Sequence, residues 1–445
     1  MCLALGAALA LHAPARAEAA SFAADRIVVR FGARERALAS RADAAARATS
    51  ERTVVMTVRR GEDIHRALRR LRSRSDVRWA VPDFRAHTSG TFIPDDPGAG
   101  TTPGGWQELQ WNLDGPFGIQ APEAWANLIG DGRPGGAGVT VAVLDTGVAY
   151  ANRGPFRRSP DFGPSEFVKG YDFVGRDPYP NDRNGHGTFV ASVIAEEADN
   201  GIGGAGIAYG ARIMPVRVLN SRGEGEATTI AAGVRFAVKH GAQIINLSLE
   251  FEPTVRARDI PELIEALRYA HRHRVLVVAA AGNEGHAAIA YPARVPDVIS
   301  VGATTERGCL AEYSNDGSGL TMVAPGGGRD AALVGDPNCD PQAEGRHVFA
   351  MTFTDGSLRR FGMPSEYEGT SMATPHVSAT AALVIASGVL GAHPTPAQLT
   401  ARLRATARRL GGGGDERLYG AGLLDAAAAT APGGPGAVAT APAAG

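Results

Sequence analysis

Gly369-Thr370-Ser371-Met372-Ala373-Thr374-Pro375-His376 reads as a serine built into the start of a helix. Ser371 follows two turn-permissive residues and precedes a small-residue run that reaches about Ser387. A serine hydroxyl is a poor nucleophile unless a base takes its proton and donors neutralise the oxyanion that forms. In a first helical turn it has unpaired backbone N–H groups and the positive end of the helix dipole beside it. Taken alone, the run describes an ordinary capped and packed helix equally well.

Two upstream segments supply the missing chemistry. Val139-Thr140-Val141-Ala142-Val143-Leu144 is a continuous apolar, β-branched run, as expected of a parallel strand buried on both faces. It ends in Asp145-Thr146-Gly147, which puts a carboxylate at the strand's carboxyl end, where sites form in open α/β sheets. Asn184-Gly185-His186-Gly187-Thr188 then leads into the helical pattern Phe189–Ala195, leaving His186 at a glycine-flanked helix entry. Singly, Asp145 also fits a turn residue and His186 a surface or capping residue. Together they give the order Asp, His, Ser, each at an element boundary, which is one of three chain orders that unrelated serine hydrolases use.

With these residues in view, the chain resembles the subtilisin-like serine peptidases, the subtilase family. Three active-site signatures carry the likeness: Val143–Val148, Asn184–Thr188 and Gly369–His376. A fourth is Ala280-Ala281-Gly282-Asn283-Glu284-Gly285, after the apolar strand Val275–Val278. The likeness spans roughly Trp106 to Ala426. It implies a secreted serine endopeptidase with Asp145 orienting His186, His186 as base and Ser371 as nucleophile. Asn283 and the Ser371 N–H would be the oxyanion donors, with no cofactor needed for the chemistry. It also implies an α/β, three-layer fold with a mainly parallel sheet, preceded by a small α+β propeptide domain.

Finer assignments follow from the same likeness. Ile244–Leu249 resembles the strand whose end walls the primary specificity pocket, which assigns Ser248 and Leu249 to substrate binding; the family continues with glycine where this chain has Glu250 and Phe251. Gly225, within Gly223–Glu226, resembles the edge that pairs with an extended substrate, and Ala290 the pocket floor. Glu224, Glu226 and Glu250 suggest a preference for basic side chains, against the alternative of a solvated acidic rim. Ala198–Gly204 resembles a loop that wraps a structural calcium, with Gln110, Asp161 and Asn200 at ligand positions. A helix-terminal turn capped at Asn200-Gly201 is the alternative.

Composition is consistent with that picture. The 445 residues, 44% hydrophobic and 20% charged, are globular material for more than one domain, and a net charge of -1 argues against nucleic acid as the main partner. No run approaches the ~20 apolar residues of a membrane span. Leu3–Leu11 followed by Ala15-Arg16-Ala17 reads as a signal peptide, 1–17, without the usual basic start. Of three cysteines, Cys2 falls in that segment, leaving Cys309 and Cys339 for a disulfide or as two separate thiols.

Residues 18–90 read as the propeptide domain: strands at Ile27–Phe31, Thr53–Val58 and Val77–Val81, and a helical stripe of Ile64, Ala67, Leu68 and Leu71. From Asp25 to Gly90 there are 16 arginines and no lysine against 8 carboxylates, which would favour docking on an acidic enzyme body. A nucleic-acid patch and a solvated helix face are the rival readings of Arg69–Arg74. Residues 91–105 read as an exposed linker, 106–425 as the catalytic domain, and 426–445, almost wholly Ala, Gly, Pro and Thr, as a disordered tail. The expected partners are polypeptide substrates and the chain's own propeptide, on a monomeric enzyme. A catalytically inactive binding protein on the same fold is the alternative. An aspartic peptidase, suggested by Asp145-Thr146-Gly147, lacks the second motif that it needs.

Overall fold

The computed structural model describes residues 22–31, 52–58, 64–84, 92–130, 132–163, 166–411 and 415–433. The expected signal segment and the end of the tail lie outside them. The chain divides into a small N-terminal unit ending at Ala86 and a large unit beginning at His87.

In the N-terminal unit, strands β1 (Phe22–Phe31), β2 (Arg52–Thr57) and β3 (Val77–Phe84) form an antiparallel sheet in the order β2-β1-β3. Helix α1 (Ile64–Arg72) packs on it. Ile27 and Val29, two residues apart on β1, meet Ile64, Ala67, Leu68 and Leu71 at helical spacing. The arginines of α1 lie on the opposite, exposed face.

The large unit is built on seven parallel strands: β4 (Thr140–Asp145), β5 (Tyr171–Asp172), β6 (Arg212–Arg217), β7 (Ile244–Leu247), β8 (Leu276–Ala280), β9 (Val298–Thr304) and β10 (Met322–Pro325). Their order is β10-β9-β8-β7-β4-β6-β5. Along β4, Val141 and Val143 enter one core while Ala142 and Leu144 enter the other, so the strand is buried on both faces. One face carries α2 (Ala121–Ile129), α3 (His186–Ala195) and α6 (Thr370–Ser387); the other carries α4 (Ala227–Lys239) and α5 (Pro261–Arg272). This is the three-layer α/β fold expected. After β4 the chain builds outward to β5 and β6, then crosses to β7 on the other side of β4. The strand order therefore reverses at β4, and a crevice opens at the carboxyl ends there.

Two boundaries differ from expectation. Residues 92–105, read as an exposed linker from their Gly, Pro and Asp content, are bound into the large unit. Asp96 is fully buried and accepts the N–H groups of Asp199, Asn200 and Gly201. Phe92 packs on Trp125, and the Trp106 indole donates to the Pro94 carbonyl. Composition registers turn chemistry but not a carboxylate that neutralises three backbone donors at once. The expected disordered tail begins instead with a helix, α7 (Ala426–Thr430), capped by Asp425. Ala426 and Ala429 are fully buried, and the Arg402 guanidinium donates to the carbonyls of Ala428, Ala429 and Ala431. Low-complexity sequence is ordered here because its small side chains let the backbone approach that guanidinium.

Candidate active site

Asp145 ends β4, and glycine brings it to its partner. A Cβ at Gly187 would lie 2.2 Å from the Gly147 carbonyl oxygen and 3.0 Å from Asp145 Oδ1, so only glycine lets α3 start this close to the strand end. His186, the first residue of α3, then places Nδ1 2.8 Å from Asp145 Oδ1. The same carboxylate oxygen accepts the Thr146 N–H. Asp182, fully buried, holds the loop: it accepts Thr146 Oγ1, the N–H groups of Asn184, Gly185 and Thr188, and Thr188 Oγ1. Sequence reading missed Asp182, since one aspartate in a polar turn carries no signal of its five partners.

Electrostatics follow from that geometry. Burial disfavours the imidazolium of His186, but the adjacent Asp145 charge and its hydrogen bond, with Asp182 further off, more than offset this. The His186 pKa is therefore raised above its ordinary value. With Nδ1 engaged by Asp145, Nε2 is the nitrogen left to face the cleft. His376, five residues after the serine, is unsuited to that role. It is fully buried, its Nδ1 donates to the Met372 carbonyl, and its Nε2 meets the Asn112 amide at 2.8 Å. Burial lowers its pKa to about 4.

Ser371 is the second residue of α6. Gly369, ahead of it, has φ 140°, a conformation that L side chains rarely adopt. Pro375 lacks the N–H that would bond the Ser371 carbonyl, and Ser248 Oγ replaces it at 2.8 Å. Ser371 Oγ in turn donates to the Ser248 carbonyl at 3.2 Å, rather than to His186. The serine is thus tied to the end of β7 from both its carbonyl and its hydroxyl. As a first-turn residue, its N–H has no intrahelical acceptor.

Asn283 follows β8. Its Oδ1 accepts the Thr370 N–H at 2.7 Å and the Thr370 hydroxyl at 3.0 Å, which turns Nδ2, the donor end of the amide, away from Thr370. Nδ2 donates to Glu250 Oε1 at 2.8 Å, and the Asn283 N–H donates to Glu250 Oε2 at 3.1 Å. Leu249 and Ala290 are buried, and the Ala290 N–H bonds the Ala281 carbonyl. Gly225 abuts Val218, just past β6, where a Cβ would lie 2.5 Å from the Val218 carbonyl oxygen. Glu224 pairs with Arg222 at 2.6 Å, so its charge is already met on the surface.

Away from the crevice, Asn200 and Asp161 meet directly, and Gln110 is bonded to other partners nearby. Asn200 Nδ2 donates to Asp161 Oδ1, Gln110 Oε1 accepts the Ala205 N–H, and Gln110 Nε2 reaches Glu196. Burial pushes the Asp161 carboxyl up to about 8, and Asp96 and Glu197 add repulsion. Glu196 is raised as well, by burial and then by Asp161. Among the described residues, no group of three or more His, Cys, Asp or Glu side chains forms a metal cage. Calcium, however, also accepts amide and backbone carbonyl oxygens. Cys309 and Cys339 are joined in a disulfide, with Cα atoms 5.0 Å apart.

A family model described as the subtilase family matches residues 136–422. Subtilisin Savinase from Lederbergia lenta is 37% identical over 324 residues, covering 73% of this chain and 99% of that protein. Thermitase from Thermoactinomyces vulgaris is 35% identical over 274 residues, 62% of this chain and 82% of that protein. A solved protease structure from Pseudoalteromonas arctica superposes with a TM-score of 0.60 at 29% identity, covering 76% of this chain and 99% of that one.

Proposed function

The chain belongs to the subtilase family of serine endopeptidases, and on that premise we propose that Asp145, His186 and Ser371 are its catalytic triad. The observation that carries the reading is the 2.8 Å contact between Asp145 and His186 Nδ1, made at the strand-order reversal. Asp145 fixes the tautomer, so that Nε2 takes the proton of Ser371 as Oγ attacks the peptide carbonyl. The imidazolium then gives that proton to the leaving amine, and water releases the acyl group by the same steps. Asn283 Nδ2 and the Ser371 N–H receive the oxyanion, helped by the positive end of α6. Serine attack requires Oγ to leave the Ser248 carbonyl and turn toward His186.

An extended polypeptide is the substrate class. Gly225 offers its backbone as a pairing edge, and Ser248, Leu249, Glu250 and Ala290 line the slot for the residue before the scissile bond. The N-terminal unit is the propeptide, removed by the enzyme's own site, and the product is an exported monomer. An inactive binding protein gains no support, since every member of the expected triad is present. Gln110, Asp161 and Asn200 suit a structural calcium: a buried acid raised to about 8 is the kind of group that a cation would ionise. For Asn200 to contribute beside Asp161, its amide must turn over, because Nδ2 and not Oδ1 now faces that carboxyl. Calcium would supply charge compensation and stability only, with no part in the proton transfers.

The test is hydrolysis of a chromogenic peptide by the wild-type enzyme and by Ser371→Ala and His186→Ala. Loss of at least about 10³-fold in kcat for each, with melting curves unchanged, is expected. A folded Ser371→Ala variant with wild-type turnover would overturn the assignment.

A further inference from the structure

Glu250 stands where the family resemblance calls for glycine, and its carboxyl lies against Asn283, the expected oxyanion donor. An ideal Cβ on Gly282 would come within 2.6 Å of Glu250 Oε2, so the carboxyl lies directly against the backbone at Gly282. Both of its oxygens accept from Asn283, Oε1 from the side-chain amide and Oε2 from the N–H, and the Glu284 carboxyl is hydrogen-bonded to it as well. The opposite end of that amide is fixed by Thr370. The amide that should face an oxyanion therefore faces a carboxyl group.

We propose that Glu250 is a latch on the oxyanion donor, released when a positively charged substrate side chain enters the slot and draws its carboxylate away from Asn283. A carboxylate bonded to Nδ2 occupies the donor and repels the negative charge that forms in the transition state, so turnover requires it to leave. An uncharged side chain offers it no new partner. An arginine or lysine side chain offers a charge-assisted hydrogen bond in a slot sheltered from water. Recognition of a basic residue and completion of the oxyanion site become one event, so the preference is expressed in kcat rather than in KM.

The surroundings of Glu250 are consistent with this. The facing groups are Asn283 and Glu284 on the loop after β8, and the Asn315 side chain donates to Glu284 at 2.6 Å. Among the described residues, no lysine, arginine or histidine forms an ion pair with Glu250. Burial, and then the charge of Glu284, push the Glu250 carboxyl up to about 7. The resting latch is thus an acid pair that lacks a cation.

This inference rests on the catalytic reading above, and its test separates the two. Turnover is measured on matched peptides with arginine or norleucine before the scissile bond, using wild-type enzyme, Glu250→Gln and Glu250→Gly. In the wild type, arginine should be favoured tenfold or more, mainly in kcat. Glu250→Gln keeps an acceptor for Nδ2 but no charge, so the ratio should fall to near one with norleucine turnover still low. Glu250→Gly frees the amide, so norleucine kcat should rise several-fold. A ratio unaltered in Glu250→Gln, or norleucine kcat falling in Glu250→Gly, would show Glu250 to be a brace and overturn the latch. Fluorophosphonate labelling of Ser371 is read alongside. Full labelling with a flat ratio removes the latch alone; an unlabelled, folded wild type removes the catalytic reading and the latch together. If Glu250→Gly fails to fold, the ratio in Glu250→Gln decides.

Discussion

Replacing Asp145 with asparagine should leave the fold in place but change both the rate and its pH dependence. The carboxylate is fully buried and 2.8 Å from His186 Nδ1, while the imidazole is only a quarter exposed. Two unit charges about 4 Å apart at an effective dielectric near 20 attract by about 4 kcal/mol. That energy appears when His186 becomes an imidazolium, so its loss should lower kcat by about 10³-fold, or more if the tautomer reverses. The pH effect has a definite sign. Burial lowers the His186 pKa and Asp145 raises it further than burial lowers it; without Asp145, the pKa falls. The acid limb of kcat/KM, lying above about 6.5 in the wild type, should move to lower pH in the variant. Stability should respond in parallel. A raised histidine pKa contributes stability that is fully present below about 6.5 and lost as pH rises through the folded value, and Asp145→Asn should remove that contribution. Turnover from pH 5 to 9 reads the first effect, and melting curves in a Ser371→Ala background, where self-digestion is absent, read the second. An acid limb that stays put or moves upward, or a kcat loss below tenfold, would refute the reasoning.

Three further outcomes are expected. Excess chelator should lower the melting temperature and hasten self-digestion if an ion joins Gln110, Asp161 and Asn200; identical melting curves with and without chelator would exclude an accessible site. Intact-mass analysis should show two hydrogens gained on reduction, and Cys309→Ala with Cys339→Ala should cost about 3–4 kcal/mol, the chain-entropy value for their separation of 30 residues. Ser371→Ala should retain its N-terminal unit. In the wild type, N-terminal sequencing should place the mature start between residues 85 and 91, because Phe92 and Asp96 are already bound into the large unit. A start beyond Asp96 would contradict that.

Much of the site was legible because its parts sit at element ends. A β-branched run ending in Asp145, and glycines on either side of His186, are local signals with local causes. The continuous apolar run of β4, buried on both faces, and the helical stripe of α1 appear in the sequence in the patterns that the fold uses. What escaped was the set of contacts made over long sequence separations. Asp96 turns a supposed linker into part of the body, and Arg402 orders the start of the tail through backbone carbonyls; Asp182 braces the histidine loop mostly through near neighbours, and a single aspartate in a polar turn does not advertise them. Glu250 lies between these cases. Its departure from glycine was visible at once, whereas its hold on Asn283 depends on two loops meeting across the crevice, which no window of sequence contains.

The central claim, that Ser371 is a nucleophile activated by His186, is tested most directly by covalent labelling. Purified enzyme is treated with a fluorophosphonate near pH 8, digested with a second protease and mapped by tandem mass spectrometry. One phosphonyl adduct, on Ser371, is predicted, lost in Ser371→Ala and slowed by orders of magnitude in His186→Ala. A folded enzyme that stays unlabelled, carries the adduct elsewhere, or labels Ser371 equally fast without His186 would contradict the account.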